Sequence, residues 1–144
     1  VRIGLVGCGG QKLAAPAAAK DLYTSTLFKK KRAYVERYCD GWWVISAKHG
    51  LLDPEQVIQS YDLSLASLTP TDRYRWAFRV AEQVDLQLER GTTIEIHAGN
   101  DYALNLSSAL HARGFIVLRP LCRVPIGLQL QWYTQQLAKA EEAA

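Results

Sequence analysis

Residues 2–31, RIGLVGCGGQKLAAPAAAKDLYTSTLFKKK, decide the fold. RIGLVG is a short apolar run with β-branched residues and reads as a buried strand. It breaks into Gly7, Gly9 and Gly10 around Cys8, then Lys12, and the chain turns sharply basic along a helical pattern. A phosphate-wrapping Walker loop needs G-x-x-x-x-G-K-[ST]; here Gly7 and Gly10 are wrongly spaced and Lys12 precedes Leu13. A dinucleotide fingerprint needs a third glycine where Lys12 stands, and AAPAAAKD delays any helix. What remains is a strand, a loop whose backbone lets a ligand approach closely, and a helix.

The same alternation continues outward. WWVIS (42–46), TIEIHA (93–98) and FIVLRP (115–120) read as further strands. Between Ser25 and Cys39, Leu27, Phe28, Tyr34, Val35, Tyr38 and Cys39 recur at helical spacing, with Lys29, Lys30 and Arg37 outside the stripe and Lys31 inside it. Lys31 then either packs its stem or points toward a site at the helix start. A helix capped by Thr69, with Pro70 in its first turn, carries Trp76, Val80, Ala81, Val84 and Leu88 on one face and stops at Gly91. The segment 100–114 has Asn100 as its expected cap, with Leu106 and Leu110 inward. In the last segment Ile126, Leu130, Tyr133 and Leu137 share a face. Four strand-then-helix units imply a single α/β domain over 1–144, a three-layer sandwich with a small, mainly parallel sheet of about four strands flanked by helices.

With 144 residues, 49% apolar and 22% charged, one folded core is expected. No apolar run approaches the roughly 18 residues of a membrane span, so a cytoplasmic protein with no membrane partner is expected. Cys8, Cys39 and Cys122 fit neither a disulfide framework nor a zinc motif, and neither metal nor cofactor is expected. The net charge of +3 is small, but Lys20, Lys29, Lys30, Lys31, Arg32 and Arg37 crowd against only Asp21 and Glu36. Lys29 to Arg32 are therefore either a solvated helix face or a track for a phosphate backbone.

In sheets of this type ligands gather at the carboxyl ends of the strands. That rule selects three loops. In the first, Cys8 is a nucleophile or a small buried hydrophobe, Gly9 and Gly10 permit close approach, and Lys12 binds phosphate, attacks as an amine or is merely solvated. The second, SAKHGLLDPEQVIQSYD, offers Ser46, Lys48 and His49, whose imidazole should be kept neutral by Lys48; Gly50 allows a tight reversal, and Tyr61 with Asp62 pairs an aromatic face with a carboxylate. In the third, Gly99, Asn100 and Tyr102 stand at a helix start; His97, spaced two from Glu95, reads as structural.

CGGQK, KDLYTSTLFKKKRAYVE, ISAKHGLLDPEQVIQSYDLSL, AGNDY and PIGLQLQWY, in that order, strongly resemble a family of small bacterial and phage domains of unassigned function, over nearly the whole chain. ISAKHGLLDPEQVIQSYDLSL is also similar to the YaaA peroxide-stress family, whose members look like DNA-binding proteins. Cys8 and Lys12 keep the C-x3-K spacing of the lysine-transferring domain of archaeosine synthase, echoed distantly by Tyr23, Ser25 and Phe28; the proline before the cysteine, the K-P-Y and the final histidine of that motif are absent. The resemblance implies a uracil-DNA-glycosylase-like fold and action on nucleobases. The expected partner is a nucleic acid, DNA before RNA; the expected activity is glycosylase-like, with simple DNA binding or work on modified nucleosides and nucleotides as alternatives. In that reading Lys12, Asp62 and His49 are catalytic. Cys8, Gly9, Gly10, Tyr23, Ser25, Ser46, Lys48, Tyr61, Gly99, Asn100 and Tyr102 form the pocket, and Lys29, Lys30, Lys31 and Arg32 meet the backbone. A lyase step through the Lys12 amine would nick the strand.

Overall fold

The computed structural model describes residues 1–143. Its centre is β1 (Arg2–Gly7), flanked in parallel by β3 (Gly41–Ser46) and β6 (Thr93–His97), with Val6 opposite Val44 on one side and His97 on the other. β7 (Ile116–Leu118) extends the sheet in parallel beyond β6. β4 (Gly50–Leu52) closes the far edge by folding back antiparallel on β3, giving the order β4-β3-β1-β6-β7. The sheet is thus mixed and five-stranded rather than four-stranded. The added strand has only three residues, too short to register as a pattern beside the turn signal at Gly50. That turn is as tight as the glycine implied: Gly50 has φ of +69°, and the Leu51 N–H donates to Gln83 Oε1 at 2.9 Å.

Alternation along the strands feeds two cores. Leu5, Ile45, Ile94 and Ile96 meet α3 (Pro70–Gln87) and α4 (Asn100–Ala112). Val6, Val44 and Leu52 meet α2 (Thr26–Tyr38) and Tyr133 of α5 (Ile126–Ala143) on the opposite face. Gly4 lets α2 come close, since a Cβ there would stand 2.6 Å from Val35 Cγ1. One cap follows the sequence, Thr69 Oγ1 accepting from the Asp72 N–H at 3.1 Å; Ser25 Oγ also caps α2, accepting from the Phe28 N–H at 3.1 Å, a role its place among the pocket residues did not announce. Other boundaries do not. α3 ends at Gln87, and Gly91, with φ of +89°, belongs to the turn after it. α4 is capped by Gly99, with Asn100 already inside the helix.

On α5, Tyr133 is buried as expected, but Ile126 is 84% exposed and Leu130 also faces solvent. The helix touches the body through its later turns, where the Tyr38 hydroxyl donates to the Gln136 carbonyl at 2.8 Å.

The loop after β1 is held by a ladder that the sequence does not announce. β2 (Ala17–Ala18) pairs antiparallel with β5 (Val57–Ile58), leading into the one-turn α1 (Ala19–Leu22). The Ala19 and Lys20 N–H groups donate to the Gln56 and Pro54 carbonyls, and Lys20 Nζ meets Glu55 at 2.6 Å. This stitching fixes the first and second loops against each other at the carboxyl end of the sheet. There the loop from β1 runs to α2 on one face and the loop from β6 to α4 on the other, which is where such sheets form a crevice.

Candidate functional site

The loop from β1 doubles back so that Lys12 bridges to Tyr23, with the Leu13 N–H on the Leu22 carbonyl and the Thr24 N–H on Gln11. Lys12 Nζ is thereby set 4.5 Å from the ring centre of Tyr61, within cation–π range, and 3.5 Å from the Gly10 carbonyl. Lys48 Nζ approaches the same ring at 5.9 Å, and His49 meets it edge-on at 5.4 Å. Neither Lys12 nor Lys48 has a carboxylate partner among the described residues, in contrast to Lys20 with Glu55. Two ammonium groups around one half-buried phenol make the mouth electropositive. Burial, and then Lys48, lower the pKa of His49, so its ring is neutral near pH 7.

Beneath the ring runs a chain of hydroxyls. Tyr61 Oη lies 2.6 Å from Tyr23 Oη and 2.7 Å from Ser46 Oγ. Ser46 Oγ already accepts from the Lys48 and His49 N–H groups at 3.2 and 3.1 Å, so its own proton goes to Tyr61. Three hydroxyl protons serve two contacts, so one phenolic O–H has no acceptor within the chain. Desolvation pushes Tyr23 up to about 12 and raises Tyr61 further, which keeps both phenols neutral donors. Trp76 anchors the strand end from behind, its indole N–H donating to the Ser46 carbonyl at 2.9 Å.

On the other flank Cys8 is half-buried, its N–H on the Ile45 carbonyl and its sulfur 3.1 Å from Tyr102 Oη. Gly9 passes Ser25 so closely that a Cβ would lie 3.2 Å from the serine Oγ. Residues from all three loops therefore meet at one end of the sheet: Cys8, Gly9, Gly10 and Lys12, then Ser25, Ser46, Lys48, His49 and Tyr61, then Tyr102. Asp62 follows Tyr61, is exposed, and has no hydrogen bond or ion pair among the described residues.

Several assignments need correction. Tyr23 is 1% exposed, so it supports Tyr61 through its hydroxyl and offers no stacking face. Lys31 is 8% exposed and cannot touch a phosphate backbone; on the inner side of α2 it has no hydrogen bond or ion pair among the described residues. Burial depresses its pKa to about 8, while a charge on Cys8 opposes that shift. The amine thus lies within electrostatic reach of the thiol, a relation foreshadowed only by its odd place in the apolar stripe. Arg32 is spent on Asp21 at 2.8 Å, Glu36 at 3.2 Å and the Lys20 carbonyl. Of the basic run, Lys29 is exposed and Lys30 partly so. Asn100 accepts from Arg119 at 3.3 Å rather than capping α4.

Gly99 and Asn100 line a neighbouring cavity of about 370 Å3 below the ends of β6 and β7, together with Arg119, Arg123 and Gln129. His97 is fully buried behind the site: its Nε2 meets Glu95 at 3.0 Å and its Nδ1 Tyr133 Oη at 2.7 Å, while Arg2 holds the other carboxylate oxygen at 3.1 Å. Burial lowers its pKa. The neutral ring then donates from Nε2 to the carboxylate and accepts from Tyr133, a structural role.

Among the described residues no three His, Cys, Asp or Glu side chains converge as a metal site requires, and no helix is long and apolar enough to cross a membrane. No solved structure matches the chain. It is similar to an uncharacterized protein of Bacillus subtilis (strain 168), YfjM, at 30% identity over 76 residues. That match covers 48% of this chain, which spans about half, 51%, of that relative. The model of a family of unknown function, DUF6884, matches residues 3–135, which take in β1 through most of α5 and every loop of the mouth; the chain belongs to that family.

Proposed function

We propose that the mouth around Tyr61 grips an unpaired nucleobase and that the protein is a glycosylase-like hydrolase of modified or damaged bases in nucleic acid, DNA before RNA. The observation that carries this reading is the pair of carboxylate-free ammonium groups, Lys12 and Lys48, over one phenol ring, with Asp62 next in the chain. The motif resemblance to YaaA and archaeosine synthase, and the uracil-DNA-glycosylase-like fold it implies, point the same way.

Hydrolysis breaks the bond from the sugar C1′ to the base nitrogen, and the electron pair leaves with the base. Positive charge grows on the sugar and negative charge on the base. Asp62 stands for the first as a carboxylate that stabilises the sugar and orients water; the water oxygen bonds C1′ and its proton passes to Asp62. Lys12 and Lys48 neutralise the second, with the spare phenolic O–H or His49 at the base edge. Should Lys12 attack C1′ as a free amine instead, the covalent intermediate would lead to strand cleavage.

A second reading, action on free modified nucleosides or nucleotides, gains weight from the basic helix, where burial of Lys31 and pairing of Arg32 shorten the backbone track. Incubation with oligonucleotides bearing a panel of modified bases, and with the corresponding free nucleosides, followed by mass spectrometry of released bases, tests both. Release from oligonucleotides supports the first reading and release from nucleosides alone the second; no release from any substrate rejects both.

A further inference from the structure

The cavity below β6 and β7 holds charge that base chemistry at Tyr61 does not use. Arg119, Arg123, Asn100 and Gln129 supply its polar lining, and no Asp or Glu lines it. Arg2, Arg32, Arg73, Arg75, Arg90 and Arg113 each meet a carboxylate, whereas Arg119 and Arg123, like Arg37 and Arg79 elsewhere, meet none among the described residues. Arg119 Nη2 donates to Asn100 Oδ1, but its Nε is sealed from solvent without a hydrogen-bond partner. An atom closed to water does not face an open cavity, so what Arg119 offers there is its Nη groups. Gly99 caps α4 without a side chain, so the first-turn N–H groups beside the cavity also lack a side-chain acceptor.

We propose that this cavity is a binding site for a phosphate group. Two planar guanidinium forks, open amides and an acid-free lining suit a multiply charged tetrahedral oxyanion better than a lone carboxylate. The volume, about 370 Å3, falls within the range of small-ligand sites, roughly 300–1,000 Å3, and exceeds what a bare ion needs. The carrier is a nucleotide, free or within a strand, an identity that rests on the nucleobase reading. The same α4 that begins at this cavity brings Tyr102 to Cys8, so a phosphate here sits beside the mouth.

Titration calorimetry at low salt tests the site with inorganic phosphate, a deoxynucleoside 5′-monophosphate and a short unmodified single strand. The wild-type chain should bind the phosphate probes, and Arg123→Gln should weaken binding about tenfold or more. Arg123 is exposed, so the variant keeps the fold; Arg119→Gln, checked by circular dichroism, should act likewise. Lys139→Gln removes the same charge from an exposed position late in α5 and should change nothing. Tighter binding of the strand or of the mononucleotide names the phosphate's source, and both outcomes uphold the site. Absence of binding to every probe, or binding indifferent to both arginine variants, overturns it. Arginine-dependent phosphate binding without release of any base keeps the site and removes the base-excision reading.

Discussion

Lys31 shows how one residue can be legible in position and opaque in role. Its stripe placed it inside, while its neighbours Lys29, Lys30 and Arg32 made it look like part of a phosphate track. With the ammonium held down to about 8 by burial, the folded chain bears its desolvation below that pH, where folded and unfolded chains are both charged. Between about 8 and the ordinary 10.5 the unfolded chain keeps a proton that the folded chain has released, so stability rises with pH across that window. Lys31→Met should therefore stabilise the protein by about 1–3 kcal/mol near pH 7, with the gain shrinking toward pH 10.5 in urea unfolding. A gain independent of pH would show that the amine is solvated. Tyr61→Phe tests the hydroxyl chain. It strands the buried Tyr23 hydroxyl and should cost about 1–3 kcal/mol in the same measurement, whereas Tyr61→Phe at wild-type stability would mean that the chain is not formed.

At the scale of elements, legibility follows local chemistry. The α3 start could be read because Thr69 has a side-chain oxygen that satisfies a first-turn N–H, the α2 start from its apolar spacing, and the β3–β4 reversal because only a glycine rests easily at φ of +69°. Gly50→Ala should destabilise the fold by about 1–3 kcal/mol in thermal or urea unfolding, since its Cβ would also collide with Gln83. The β2/β5 ladder could not be read: two alanines against Val57 and Ile58 carry no period, and pairing is decided by what tertiary structure brings alongside. The same limit hid the meeting of Lys12 with Tyr61, a contact made only because that ladder holds two loops together. On α5 the apolar period ran through Ile126 and Leu130, but helical spacing says which residues share a face and not how much of that face finds a partner.

For the whole molecule, charge has moved from helix to mouth. With Lys31 buried and Arg32 paired, any nucleic acid should be held through few phosphates, and log affinity for single-stranded DNA should fall with log salt at a slope of about −2 to −4 in fluorescence anisotropy. A much steeper slope would restore the basic helix as a backbone track. The central claim is that Asp62 and Lys12 act on one flipped base at the Tyr61 mouth. The most direct measurement is single-turnover base release from a modified-base oligonucleotide by the wild-type chain, Asp62→Asn and Lys12→Ala, with binding followed in parallel. Both variants are predicted to release base at least about a hundredfold more slowly, with Asp62→Asn still binding the strand. Release by both at the wild-type rate would contradict the claim.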